Sequence, residues 1–176
     1  MEQLSQILTQ ATAAIGAEYF RLPIEGGNPV YRERVYCYEL YHQMRLRWPG
    51  VDLSAYRLNA EVDKRAHHAL EQLGVHGQKP DFLVHQPGHM AGNHAIIEVK
   101  HAPSNSEDIR KDLRSLALFR HDVGYDRAIY LVYGHRADAS MVARVVRYAA
   151  GVDGANSIEI WLHQEAGAAA AYSLTL

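Results

Sequence analysis

A chain of 176 residues that is 48% hydrophobic and 22% charged is long enough to bury one sizeable core and lies far from the composition of a disordered segment. With 18 Lys+Arg against 20 Asp+Glu the net charge is −2, which excludes a uniformly basic body and requires any nucleic-acid surface to be local. The single Cys37 excludes an intramolecular disulfide and a thiolate-rich zinc site; the start lacks a secretion-type signal and no stretch approaches the roughly 18 apolar residues of a membrane span, so a cytoplasmic protein with no membrane partner is expected.

In chain order, Leu4, Ile7, Leu8, Ala11, Ile15 and Tyr19 recur at helical spacing, and the Gly26-Gly27-Asn28-Pro29 cluster ends the pattern. A second helical rhythm runs from Arg34 to Trp48 through Val35, Tyr36, Tyr38, Leu40, Tyr41 and Met44, stopped by Pro49-Gly50; Cys37 and the tyrosines are expected to pack inward. Three strands are expected at 55–64, 81–86 and 94–101, the last two forming a hairpin. Ser106 or Asp108 can cap a helix carrying Ile109, Leu113, Leu116 and Ala117, and a buried strand follows at 128–133. A helix over 138–150, turning Met141, Val142, Val145 and Val146 inward, and a strand at 158–162 complete the series, while the alanine-rich stretch 166–171 reads equally as helix or as a loop before a terminal strand. The order predicts an α/β (α+β) domain over 1–176, a mixed sheet flanked by helices, with a lead-in helix and loop at 1–30 and a helix-and-strand extension at 135–176.

The chemistry concentrates in Pro80-Asp81 and Glu98-Val99-Lys100. Alternation along a strand turns Ile96, Glu98 and Lys100 to one face, and a hairpin brings Asp81 to the end where Glu98 lies. Two carboxylates suffice to hold a hard divalent ion such as Mg²⁺ or Mn²⁺ together with waters and substrate oxygens, and a neighbouring ammonium can orient or deprotonate a water or offset phosphate charge. Alone, a Glu-x-Lys pair ordinarily marks a solvated edge; its place at the end of an apolar strand, beside Asp81, favours a site.

These residues and the element order resemble the PD-(D/E)xK, or restriction-endonuclease-like, nuclease superfamily over 34–134. The resemblance implies an αβββαβ core, a Mg²⁺- or Mn²⁺-dependent endonuclease-type hydrolase acting on DNA in preference to RNA, ion binding by Asp81 and Glu98, and assistance by Lys100. It further implies an acid on the first core helix, for which Glu39 is the candidate and Glu61, near Asp63 and Lys64, the rival. Phosphate contacts would be drawn from Arg45, Arg47, Lys64, Arg110, Lys111 and Arg114, with Arg110, Lys111 and Arg114 on the helix after the motif. With no separate DNA-reading module visible, the protein is expected to be structure-selective, to depend on a partner protein for specificity, or to form a homodimer that cuts both strands. Two other readings stand beside this one: a non-catalytic nucleic-acid-binding or assembly module on the same fold, and a zinc hydrolase built from His67-His68, His85, His89, His94 and His101, whose spacing matches no known ligand pattern.

Overall fold

The computed structural model describes residues 2–48, 56–61 and 79–176. The expected helix stop at Pro49-Gly50, the ends of the expected first strand (55 and 62–64, with Asp63 and Lys64), and His67 and His68 lie outside the described residues. Helix α1 spans Glu2–Ala13 and buries Leu4, Ile7, Leu8 and Ala11, one apolar stripe at i, i+3, i+4 and i+7. The lead-in is not one helix to Tyr19. An extended Gly16 starts a separate turn, α2 (Ala17–Phe20), which turns Phe20 into the core and leaves Tyr19 exposed.

Helix α3 (Glu33–Leu46) buries Tyr36, Cys37, Leu40 and Met44 along one stripe. Tyr38 falls off that stripe and is 58% exposed, contrary to the inward packing expected of it. The strands are β1 (Arg57–Ala60), β2 (Phe82–His85), β3 (Asn93–His101), β4 (Arg127–Tyr133), β5 (Ile158–His163) and β6 (Ala171–Thr175). They form one six-stranded sheet in sequence order, with β3, β4 and β5 parallel and the other neighbours antiparallel. Every residue of β4 is buried, as expected for a central parallel strand covered on both faces. The alanine-rich stretch is a loop that enters β6.

Helix α4 (Ser106–His121) links β3 to β4, and α5 (Ala139–Ala149) links β4 to β5. The cap of α4 is Asn105, one residue before the expected Ser106, and its side-chain oxygen accepts from the amides of Glu107 and Asp108 at 2.9 and 2.8 Å. Asp138 caps α5 in the same way, and Val146, expected inside, is 44% exposed because the buried stripe follows Met141, Val142 and Val145. The sheet divides two apolar layers by the period-two rule. Ile97, Val99, Leu131 and Tyr133 pack against α1 to α3, whereas Ile96, Tyr130 and Val132 pack against α4 and α5. The protein is therefore mixed α/β, a six-stranded sheet with helices on both faces, and among the described residues α3, β1, β2, β3, α4 and β4 come in that order.

Candidate active site

The alternation that buries Ile96 toward α4 turns Glu98 and Lys100 the same way, at the end of β3 where the apolar run stops. The β2–β3 register pairs Phe82 with Ile97, so Asp81, one step before β2, lies across from Glu98. Asp81 is anchored there, its Oδ2 accepting from the Val99 amide at 2.7 Å. Glu98 is only 9% exposed and its Oε1 accepts from the Ser115 hydroxyl of α4 at 3.0 Å. The Lys100 ammonium is held between two carboxylates, Asp112 of α4 at 3.2 Å and Glu33 of α3 at 3.4 Å, and Glu33 also accepts from the His101 amide at 3.4 Å.

Four carboxylates thus gather around one lysine, and burial, with repulsion among the acids, raises Asp81, Glu98 and Asp112. Burial pushes Asp81 up to about 6 against the opposing Val99 hydrogen bond, with Glu33 and Asp112 adding to the rise and Lys100 opposing it. Burial, then the repulsion of Asp81 and Asp112, drives Glu98 well above the usual carboxylate range despite Ser115 and Lys100. Asp112 is raised to about 6, again by burial first. For Lys100, burial alone would lower the ammonium, but Asp112 and Glu33 outweigh it and hold the group above the ordinary lysine value. Tyr130 pairs with Glu98 across the β3–β4 ladder, and its buried hydroxyl has no hydrogen-bond partner among the described residues.

The chain matches no protein-family model, and neither a curated protein nor a solved structure resembles it significantly.

Of the residues singled out from sequence, Asp81, Glu98 and Lys100 come together. The helix acid beside them is Glu33, not Glu39. Glu33 lies three, four, seven and eleven residues before Tyr36, Cys37, Leu40 and Met44, on the stripe that faces the sheet. Glu39 lies off that stripe in a ladder along the helix, accepting from Gln43 at 2.6 Å, while Gln43 accepts from Arg47 at 2.6 Å. The rival Glu61 pairs with Arg34 at 3.5 Å, with both side chains exposed.

The helix after the motif meets the cluster through Asp112 and Ser115, which sequence reasoning passed over. Asp112 interrupts the apolar series at Ile109, Leu113 and Leu116, and a charge on a buried stripe was the available signal. Arg110 instead lies over the Tyr148 ring at 4.8 Å, and Lys111 and Arg114 are exposed. Lys111 is the one of these three cations that lowers the Asp112 carboxyl. Arg45 is exposed on α3. Cys37 is buried as expected, its thiol pushed up by burial and by Asp81, Glu33 and Glu98, which disfavours a thiolate nucleophile.

The four described histidines of the zinc reading do not gather with one another, although His101 shares the Phe20–Tyr31 aromatic cluster with His135 and His163. His85 bonds Asn59 at 3.0 Å, His94 meets Asp126 at 3.4 Å, His101 stacks on Tyr31, and His89 is exposed. Among the described residues no three His, Cys, Asp or Glu side chains form a metal cage by themselves. A Mg²⁺ site does not need one, because one or two carboxylates with waters and substrate oxygens complete it. Asp81 and Glu98 fit that requirement: two buried, mutually repelling oxygen donors, each with one oxygen tethered, beside an unpartnered hydroxyl.

Proposed function

We propose that the protein is a metal-dependent nuclease on a restriction-endonuclease-like αβββαβ core, hydrolysing phosphodiester bonds of DNA in preference to RNA. The observation that carries this reading is the convergence of Asp81, Glu98 and Lys100 at the end of β3, with acidic charge in excess of the one lysine. The order α3-β1-β2-β3-α4-β4 supports the core, and the preference for DNA rests on the resemblance. Mg²⁺ or Mn²⁺ held by Asp81 and Glu98 would supply an activated water and stabilise the charge that develops on the phosphate.

The side chains do the rest. The Val99 amide and the Ser115 hydroxyl fix the two carboxylates before any ion arrives. Asp112 and Glu33 hold Lys100 above the ordinary lysine value, which favours a role as donor and fixed cation, orienting the water and offsetting charge on a phosphate oxygen. Glu33 holds Lys100 from the α3 side and is a further oxygen donor within reach of the same space.

One observation favours a second reading. Lys100 already lies between two carboxylates, as it would in a non-catalytic nucleic-acid-binding or assembly module on this fold.

Cleavage of single-stranded, duplex and branched DNA and of RNA, with Mg²⁺ and with Mn²⁺, separates the two. The nuclease reading expects Asp81→Ala to cost about 10²–10³-fold in rate and Lys100→Ala about 10²-fold. Wild-type protein that cuts none of these substrates, or cleavage unchanged in both variants, overturns it.

A further inference from the structure

On β3 the side chains of Glu98 and Lys100 are two residues apart, roughly 6.5–7 Å along the strand. On α4 Asp112 and Ser115 are three residues apart, roughly 4.5 Å of helix rise on neighbouring positions of one face. Ser115 meets Glu98 at 3.0 Å and Asp112 meets Lys100 at 3.2 Å. The helix therefore runs back along the strand in register with it, one polar residue for each member of the Glu-x-Lys pair. The face is otherwise apolar, with Ile109, Leu113 and Leu116 fully buried, so these two polar residues stand on a stripe where nothing in the packing calls for them.

We infer that α4 is the positioning element of the site, Asp112 fixing the place of the Lys100 ammonium and Ser115 the carboxylate plane of Glu98. The inference rests on the nuclease reading for its consequence in catalysis but not for its geometry. Neither residue touches the reacting atoms; both act through the strand pair. Without Asp112 the Lys100 side chain, a four-carbon stem with three rotatable donors, keeps only the more exposed Glu33 at 3.4 Å. It then samples several positions instead of one. Without the Ser115 hydroxyl, the Glu98 carboxylate loses the only hydrogen bond to it among the described residues and can rotate toward or away from Asp81.

The arrangement also separates the duties of the two acids that hold Lys100. Glu33 approaches from the α3 layer, is about a third exposed (38%), and divides its carboxylate between Lys100 and the His101 amide. Asp112 is 13% exposed and directs its Oδ2 to Lys100 from the helix that also carries Ser115. Asp112 is thus the nearer and more buried support, an ion pair in which its Oδ2 accepts no hydrogen bond among the described residues, and Glu33 the more exposed one, which accepts from Lys100.

Two measurements on the full chain test the inference. The first needs neither metal nor nucleic acid: the rate of reductive methylation of Lys100, read by peptide mass spectrometry, in wild type, Asp112→Asn, Asp112→Glu and Arg110→Ala. Asp112→Asn is expected to speed modification of Lys100 several-fold and to leave Lys79 as it was; Asp112→Glu restores slow modification, and Arg110→Ala changes nothing. The second is steady-state cleavage, where Asp112→Asn and Ser115→Ala are expected to lower kcat about 10-fold or more at unchanged KM, with partial rescue by Asp112→Glu and Ser115→Thr. Unchanged modification of Lys100 in Asp112→Asn, or modification that rises equally at every lysine, overturns the positioning role. If wild type cleaves nothing, the nuclease reading fails, while the methylation rates still decide whether Asp112 holds Lys100.

Discussion

Two groups of buried charge sit at different places on the same sheet, and they are built on opposite principles. At the start of β4 and β5, Arg127 and Glu159 form a two-pronged pair, both bonds 2.7 Å, with Ser5 accepting from the guanidinium and Trp161 donating to the carboxylate. Burial would raise Glu159, but the bonds from Arg127 and Trp161 outweigh it and keep the carboxyl below its usual range. At the end of β3, Asp81, Glu98 and Asp112 are all raised because one lysine cannot offset their burial and mutual repulsion. A balanced pair of this kind holds the fold together. An unbalanced one works against the fold and is tolerated where a cation or a reaction needs it.

The comparison is broken or sharpened most strongly by paired substitutions. On the nuclease reading, Asp81→Ala is expected to abolish most cleavage at a modest loss of stability from the freed Val99 amide, whereas Glu159→Gln should leave kcat/KM near wild type. The Glu159→Gln variant instead costs about 3 kcal/mol of folding free energy by removing the charge of the carboxylate that Arg127 grips at two points, at the lower end for a buried pair because Glu159 keeps some exposure. Urea denaturation and cleavage on the same two proteins check both halves; a cleavage defect in Glu159→Gln at a permissive temperature would place the two groups in one functional unit.

A smaller effect has the opposite sign. Glu98→Gln removes a buried charge that the fold disfavours, so the metal-free variant should melt higher than wild type, by about 2–4 °C for each kcal/mol relieved, while losing cleavage. Calorimetry in a chelator gives the answer, and a lower Tm would mean that Ser115 and Lys100 compensate Glu98 fully.

The smallest effect is on pH dependence. Asp81 and Asp112 rise from 3.8 to about 6, so the folded chain binds more protons than the unfolded one in that window, and metal-free stability falls as pH rises through it. Glu159 acts in the other direction: its stabilisation is present above its ordinary 4.5 and is lost as pH falls through its lower folded value. Chemical denaturation between pH 4 and pH 7 should therefore show a decline toward neutrality that Asp81→Asn flattens and Glu159→Gln does not. Divalent-ion affinity, measured by titration calorimetry, should tighten over the same range as the carboxyls lose their protons.

Much of this molecule was legible in its sequence because it depends on local periodicity. The alternation in IIEVK placed Glu98 and Lys100 on one face whatever the strand packed against, and the apolar AIYLVY run marked β4 as a strand covered on both sides. Pro80-Asp81 at the head of a hairpin strand was enough to bring Asp81 toward Glu98. Tertiary structure alone decided which partners came to meet them. The azimuth of α3 is set by how Tyr36, Cys37, Leu40 and Met44 seat on the sheet, and that choice delivers Glu33 and turns Glu39 along the helix toward Gln43. The seating of α4 on β3 brings Asp112 to Lys100 and Ser115 to Glu98, contacts between residues 12 and 17 positions apart in the chain. The periodicity of a strand or a helix says which residues share a face; only the packing of one element against another says what that face touches.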